Sequence, residues 1–209
     1  LVREVDANDN GIPVHAGELL YRTSTTLPAR VSRTNPRWWE EVEDGGNALF
    51  LEAMQLCQAD FFSIAKSIIQ DLLPARRIVA DALSKASSIH PSGSILVLDR
   101  FAPWKQHLHD LEEEKKGGGE GGEESQVLYV LFAERHTDPE SKWRVAAVPE
   151  SPESFTSRKA LPEPWRGLRG AELDGVTGAP PGAIFVHASG FIGGHATKEG
   201  ALQMAINAL

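Results

Sequence analysis

The sequence predicts an α+β protein in which an N-terminal helical segment precedes a mixed β-sheet domain flanked by helices. Two observations predict this order. Apolar residues recur at intervals of three and four from Asn47 to Leu72, which is the spacing of an amphipathic helix. Four apolar runs in the second half have the length of strands and are separated by Gly, Pro and charged residues. These runs are 94–98, 127–132, 143–148 and 183–186.

Helix-end signals define the other elements of the first half. Residues 1–9 have a helical composition and are followed by Asn-Gly and a proline, which end a helix. Thr25 or Thr26 is expected to cap a short helix that has Pro28 in its first turn. Pro74 occupies a position at which a further helix can begin. These helices account for the chain up to about residue 90.

The sequence predicts a domain boundary near residue 90. The alternative is that both parts form one compact unit, because the apolar stripe of the long helix needs a partner. We expect a helical segment over residues 1–90 and an α+β domain over residues 91–209. Between residues 110 and 125, seven acidic residues and two lysines are interleaved with glycines. That composition is typical of a flexible, solvated loop. The loop carries a charge of −5, so only −3 of the net charge of −8 belongs to the rest of the chain.

Length and composition limit the class of protein. With 209 residues, the chain can bury one large core or two smaller ones. It has no run of about 20 apolar residues and no signal peptide at its start, so we expect a soluble protein without a membrane partner. Its one cysteine, Cys57, cannot form an internal disulfide, which suits an intracellular, reducing compartment. We expect Cys57 to be buried on the apolar stripe of the long helix.

The segment from residue 183 to residue 200 is the most informative part of the sequence. An apolar run leads into a stretch that contains Gly193, Gly194 and His195, and a helical pattern follows. A strand, a glycine loop and a helix in this order bring backbone N–H groups and a helix N-terminus to one point, where a phosphate can bind. The alternative is a tight turn, because neither established phosphate-binding signature is present.

Two further segments contain candidate site residues. Asp6 and Asp9 precede a glycine, and carboxylates at this density bind divalent cations, although the same cluster also marks a helix end. We expect them to supply at most one ligand of a site completed elsewhere. Residues 154–169 interleave arginine and tryptophan in an irregular stretch, which suits phosphate binding with base stacking. The alternatives are surface ion pairs for the arginines and a hydrophobic plug for Trp165.

Five ordered motifs resemble the melanocyte proliferating gene protein family, and together they extend over essentially the whole chain. They are Glu4–Ile12, Ala29–Val31 with Asn35-Pro36, Pro103–Leu108, Leu161–Arg169 and Phe185–His195. This family is related to the DHH phosphoesterases and is associated with 3′ to 5′ RNA exonuclease activity in the nucleus and mitochondria. The resemblance implies a metal-dependent phosphodiesterase that acts on single-stranded RNA.

The resemblance also implies a role for each part of this chain. The family's main metal-binding motifs lie upstream of the segment that matches residues 4–12 and do not occur here, and Leu1 is not an initiator methionine. We therefore expect a C-terminal portion that is inactive alone, with the divalent cations, Mn²⁺ or Mg²⁺, held mainly by residues that it lacks. Residues 91–209 resemble the substrate domain of DHH phosphoesterases, in which a Gly-Gly-Gly-His loop holds substrate phosphate. Ile192 replaces the first of those glycines.

The residues expected to bind substrate combine this loop with the cationic and aromatic residues of the other motifs. They are Gly193, Gly194, His195, His187, Ser189, Arg158, Arg166, Arg169, Trp165, Trp104 and Lys105. Two other functions are also consistent with the residues. One is a non-catalytic protein-interaction domain, and the other is the binding of a small phosphorylated ligand or dinucleotide. RNA binding that weakens steeply with salt is the expected sign of the RNA-binding function and is not expected of a protein-interaction domain.

Overall fold

The computed structural model describes residues 2–13, 16–17, 23–117 and 126–209. The chain divides into two compact units, Leu1–Gln70 and Asp71–Leu209. The sequence predicts a boundary near residue 90. The division falls earlier because the helix that begins at Leu73 packs against a strand and a helix of the second unit.

Helices form the regular structure of the first unit. In its described part the α-helices are α1 (Val2–Asp9), α2 (Leu27–Ser32) and α3 (Asn47–Ser67). A π-helical segment, Ile68–Leu72, follows α3 directly. Thr26 caps α2 by accepting a hydrogen bond from the N–H of Ala29 at 3.4 Å, which confirms the predicted cap. Arg30 on α2 forms an ion pair with Asp60 on α3 at 2.6 Å. The short helix is thereby attached to the long one.

The apolar stripe of α3 is not buried within its unit. No residue of α3 is buried, and Phe50, Met54 and Phe61 are each more than half exposed. The prediction that Cys57 is buried is wrong, because its side chain is exposed. The residue spacing identified the helix correctly, but a spacing does not specify what covers its apolar side.

The second unit contains one mixed β-sheet. Its described strands are β1 (Ile95–Val97), β2 (Tyr129–Ala133), β3 (Trp143–Ala147), β4 (Ala183–Val186) and β5 (Ile192–His195). Their order is β1-β2-β3-β5-β4, with β1 parallel to β2 and every other neighbouring pair antiparallel. The α+β class is therefore confirmed. The four predicted strands are present, and the fifth is the segment that was predicted to be a glycine loop.

Helices pack against both faces of this sheet. They are α4 (Leu73–Ser84), α5 (Ala86–Ile89), α6 (Lys105–Gly117), α7 (Gly170–Thr177) and α8 (Lys198–Asn207). One face packs against α7 and α8, where Val145 and Met204 belong to the same buried cluster. The other face packs against α4 and α6, where Leu108 and Val130 are buried. Opposite faces hold separate apolar clusters because successive strand residues point to opposite sides.

The acidic stretch between residues 110 and 125 is not one flexible loop. Residues 110–117 belong to α6, and residues 118–125 lie outside the described part of the chain. Glu112 is 8% exposed, and its carboxylate accepts hydrogen bonds from Arg158 at 2.7 Å and from the N–H of Val127 at 3.1 Å. The predicted solvated loop is therefore wrong for residues 110–117, because composition does not reveal a buried arginine partner.

Among the described helices, none combines the length and the apolar character needed to cross a membrane.

Breaking the Glu112–Arg158 pair should destabilise the second unit. Glu112→Gln removes the negative charge at nearly constant size and leaves the Arg158 guanidinium buried without its counter-ion. Loss of one partner of a buried pair costs about 3–5 kcal/mol, and we expect the lower end because the amide oxygen can still accept a hydrogen bond. Urea unfolding followed by circular dichroism measures the loss.

Glu114→Gln is the matched control on the same helix. Its carboxylate pairs with Arg76 at 2.7 Å but is exposed, so the change should cost less than about 1 kcal/mol. Equal losses in Glu112→Gln and Glu114→Gln would contradict the assignment of a buried, stabilising pair.

Candidate functional site

Gly193, Gly194 and His195 form strand β5 and not a loop. This strand lies between β3 and β4 and is hydrogen-bonded to both. The backbone N–H and C=O groups of a central strand are hydrogen-bonded to the neighbouring strands. These residues therefore do not present a cluster of free N–H groups to a ligand. The predicted glycine loop is therefore wrong at this position. The glycines provide space instead, since a Cβ on Gly194 would collide with the Arg144 guanidinium.

The His195 imidazole is completely buried and both of its nitrogens are hydrogen-bonded. Nδ1 accepts from the N–H of Thr197 at 3.0 Å, so the proton is on Nε2, which donates to the carbonyl oxygen of Pro180 at 2.9 Å. Gly182 and Gly200 leave room for the ring. The sequence placed His195 at the mouth of a phosphate site, whereas the structure places it inside the protein. There it joins the turn before β4, the end of β5 and the start of α8.

The three candidate arginines occupy different environments. The side chain of Arg158 is only 7% exposed and is paired with Glu112. Arg166 is half-buried and donates from Nε to a backbone carbonyl oxygen at 2.9 Å. Arg169 is exposed, and its guanidinium carbon lies 5.9 Å from the centre of the Phe185 ring. The structure does not assemble them into a row, and two of the three already have internal partners.

The two candidate tryptophans are core residues. Trp165 is 4% exposed, and its indole N–H donates to the carbonyl oxygen of Val176 at 3.0 Å. The alternative interpretation of Trp165 as a hydrophobic plug is therefore confirmed. Trp104 is equally buried and belongs to the cluster beneath α4 and α6. Neither residue offers an open indole face for stacking. Trp104 nevertheless borders a groove that Trp165 does not reach.

That groove brings four of the candidate residues together. It has a volume of about 740 Å³ and is lined in part by Trp104, Lys105, His187 and Ser189. The other aromatic residues that line it are Phe101, Phe132, Phe155 and Phe191. Lys105 is the one Lys, Arg, Asp or Glu among its described lining residues. We call this site the aromatic groove.

The alternation of side chains along the strands explains the floor of the aromatic groove. Val145 faces the cluster beneath α8, so Ala146 faces the other side of the sheet. Ala146 pairs with Ile192 on β5, and Phe132 lies on the same side of β2. The floor therefore extends over β2, β3 and β5, which are internal strands.

The turn between β4 and β5 forms one wall of the groove. His187 Nδ1 accepts from the N–H of Ser189 at 3.2 Å, so the ring proton is on Nε2, for which the described residues provide no partner. The His187 and Phe191 rings meet edge-on with centroids 4.7 Å apart. Gly190 has a φ of 73°, and a Cβ there would lie 2.7 Å from Nε of Arg166. The turn thus holds an imidazole N–H donor in a fixed position at the groove.

A second wall comes from residues 149–157, which Arg158 anchors. Pro149 and Ser157 form a β-bridge, and the Arg158 guanidinium donates to Nδ1 of His109 at 3.1 Å. Burial lowers the pKa of His109, and the positive charge of Arg158 lowers it further. Because Arg158 can donate only to an unprotonated nitrogen, this contact requires neutral His109.

The candidate metal ligands Asp6 and Asp9 lie on α1 in the first unit, and both are exposed. The Asp6 carboxylate accepts from the Asn10 side chain at 3.2 Å, as is common at a helix end. Among the described residues, no group of three or more His, Cys, Asp and Glu side chains is placed to hold a metal ion. These residues do not by themselves fit the divalent metal site that the resemblance implies.

Comparison with known proteins establishes the family. The MYG1 exonuclease family model, described as "Uncharacterised protein family (UPF0160)", matches residues 1–209. The chain belongs to this family. The MYG1 exonucleases of Rattus norvegicus and Homo sapiens are each 48% identical to it over 206 residues, which are 98% of this chain. The MYG1 protein of Dictyostelium discoideum is 40% identical over 212 residues, covering 100% of this chain and 61% of that protein.

The match covers only part of these relatives. The chain spans about half the length of the mammalian MYG1 exonucleases, 51% of the rat protein and 52% of the human protein. No solved structure matches the chain. Family membership, which the five sequence motifs predicted, is thus confirmed, and the likeness to DHH substrate domains stays a prediction.

The phenylalanines of the aromatic groove were not identified from the sequence. Phe155 lies in a Ser- and Thr-rich stretch and is fully exposed. A large aromatic residue among small polar residues, outside any strand or helix spacing, was the available signal. Phe132 gave no such signal, because a phenylalanine within an apolar strand is ordinarily a core residue.

Gly200→Ala tests how closely His195 is enclosed. The added Cβ would overlap the imidazole ring, so either the ring or α8 must move. Overpacking of this kind costs about 1–3 kcal/mol, and we expect the Tm from thermal unfolding to fall accordingly. Gly175→Ala on α7 is the matched control, because no atom lies within 4 Å of its added Cβ. Alanine should stabilise that helix by roughly 0.5–1 kcal/mol. A Gly200→Ala protein as stable as the wild type would contradict the position of His195.

Acidification should weaken the second unit through His109. Its pKa is lower in the folded protein, so the unfolded chain binds more protons between the usual value of 6.5 and the lower folded value. The stabilising effect of neutral His109 is complete above pH 6.5 and is lost as the pH falls through that window. His109→Gln keeps an acceptor for Arg158 and should remove this part of the pH dependence. Urea unfolding of both proteins from about pH 7.5 to about pH 5 measures it, and parallel losses of stability would contradict the role of His109.

Proposed function

We propose that this chain is the substrate-binding part of a 3′–5′ exonuclease that acts on single-stranded RNA. The observation that carries the proposal is the aromatic groove, where exposed aromatic rings, one lysine and an imidazole N–H donor line a single site. Further support comes from the family, whose mammalian members are named exonucleases.

Different parts of the groove suit different parts of a nucleotide. Aromatic side chains stack on bases with about 1–3 kcal/mol per base and with little sequence preference. Lys105 supplies a positive charge for a phosphate, and Nε2–H of His187 can donate to a phosphate or ribose oxygen. A single strand offers base faces and backbone oxygens together. Binding and orienting such a strand is the role that we assign to this chain.

The structure changes the expected dependence of RNA binding on salt. Each neutralised phosphate of a single strand contributes about −0.7 to the slope of log K against log salt concentration. Arg158 and Arg166 have internal partners, so Lys105 and the exposed Arg169 are the candidate residues left for phosphates. The slope should therefore be about −0.7 to −1.4, which is shallower than a row of arginines would give.

Hydrolysis is proposed to require more than this chain. The resemblance implies Mn²⁺ or Mg²⁺, and we propose that Asp6 or Asp9 contributes at most one ligand. We expect no appreciable hydrolysis by this chain alone. The complete enzyme is proposed to act in the nucleus and in mitochondria.

A protein-interaction domain is the second candidate function. Phe155 is fully exposed beside a largely apolar groove, and exposed apolar patches often mark protein-binding surfaces. A small phosphorylated ligand or dinucleotide could occupy the same groove. If the groove binds such a ligand, a mononucleotide should compete with RNA for it. A protein-interaction domain is not expected to bind RNA in a salt-dependent way.

Fluorescence anisotropy of a short, 5′-labelled single-stranded RNA tests the proposed function. We expect Lys105→Ala to raise Kd about 5-fold, which corresponds to about 1 kcal/mol, and to make the salt slope shallower by about 0.7. Lys142→Ala is the control, because Lys142 is exposed but does not line the groove. It should leave both quantities unchanged.

Three results would contradict the proposal. Absence of RNA binding at low salt would remove the role of this chain in substrate binding. Equal effects of Lys105→Ala and Lys142→Ala would place RNA outside the groove. Displacement of RNA by an equimolar mononucleotide would favour a small phosphorylated ligand.

A further inference from the structure

We infer that the aromatic groove holds an unpaired base of the substrate, and that stacking on its rings supplies more of the affinity than contacts with phosphates. The inference rests on the proposed function and extends it, because it names the chemical group that the groove recognises. It also restricts the substrate to strands with unpaired bases.

The exposed phenylalanines of the second unit are concentrated in this groove. Among its described residues, Phe101, Phe155 and Phe191 are exposed, and all three line the groove. The other described phenylalanines of this unit, Phe132 and Phe185, are only partly exposed. Single exposed apolar residues are ordinary on protein surfaces, but three aromatic rings around one groove form a patch of the kind that binds a ligand.

Two of these exposed rings are already supported by other rings. The centroids of Phe101 and Phe132 are 5.0 Å apart with the planes inclined at 58°, and Phe191 packs edge-on against His187. A ring that is packed on one side loses little rotational freedom when a ligand stacks on its other side. The entropic cost of ordering the site is therefore small, which favours binding of a flat ligand.

The size and lining of the groove fit bases from a single strand. Its volume of about 740 Å³ lies within the range of about 300–1,000 Å³ that is usual for small-molecule sites. In a duplex, neighbouring pairs cover the faces of the bases, and proteins reach only the base edges. An aromatic ring can therefore stack on a base only where the base is unpaired or extruded.

The position of the floor disfavours an extended peptide. Peptides that bind to sheets usually add a strand at an open edge. The floor lies on β2, β3 and β5, which are internal strands with paired backbones, so this mode is not available. A base needs no such pairing, because it stacks on the rings. Its edge can accept a hydrogen bond from Nε2–H of His187, for which the described residues provide no partner.

Anisotropy measurements with three labelled nucleic acids of equal length test the inference. They are a single-stranded RNA, the same backbone with abasic sites in place of the bases, and the RNA annealed to its complement. We expect the intact single strand to bind at least about 10-fold more tightly than the other two, because one stacked base is worth about that factor.

Phe155→Ala locates the stacking within the groove. The side chain is fully exposed, so its truncation should not disturb folding. We expect this variant to bind the intact RNA at least about 5-fold more weakly and the abasic strand equally well. Val176→Ala, an exposed apolar position on α7 outside the groove, is the matched control and should change neither affinity.

The outcomes separate this inference from the proposed function. Equal affinity for intact and abasic strands would overturn the inference and leave the proposed function intact, since RNA would then be held by its backbone. Equal affinity for the duplex, or equal weakening of both single strands by Phe155→Ala, would also overturn the inference. Failure to bind any of the three would overturn both.

Discussion

The hydrogen bonds of the His195 imidazole fix the position of β5, on which the arrangement of the second unit depends. Nε2–H donates to the carbonyl oxygen of Pro180, and Nδ1 accepts from the N–H of Thr197. The ring therefore connects the turn before β4, the end of β5 and the first turn of α8. A glycine–histidine motif that resembles a phosphate-binding loop thus contributes here to folding, as a buried polar group whose hydrogen bonds are all made.

Two of the four residues of β5 are glycines without side chains, and the two faces of the sheet use this space differently. On one face, Gly193 lets the apolar core beneath α8 approach the strand closely. On the other face, Gly194 accommodates the Arg144 guanidinium, and Ile192 contributes to the floor of the aromatic groove. Helices close the first face, whereas turns and loops border part of the second. The groove is therefore a consequence of incomplete helical cover over an apolar sheet.

The parts of the fold that depend on local patterns were predictable, and those that depend on distant partners were not. Thr26 is a helix cap because of its immediate neighbours, and the spacing of α3 is visible within its own residues. In contrast, a pair of glycines provides no side chains for a strand pattern, so β5 was predicted as a loop. Glu112 is buried by an arginine 46 residues later, which no local pattern reveals. Within the groove, Lys105 and His187 followed from family motifs, whereas Phe155 is significant only because the tertiary structure leaves its ring uncovered.

Cys57 allows the chain to be labelled at a single position. It is the one cysteine in the sequence, and its thiol is exposed on α3. Exposed thiols react with alkylating reagents through their thiolate form, so a fluorophore or spin label can be attached without any substitution. The label would lie in the first unit and leave the lining of the aromatic groove chemically unchanged. Energy transfer from that position to a labelled oligonucleotide would then report the distance between the first unit and the ligand.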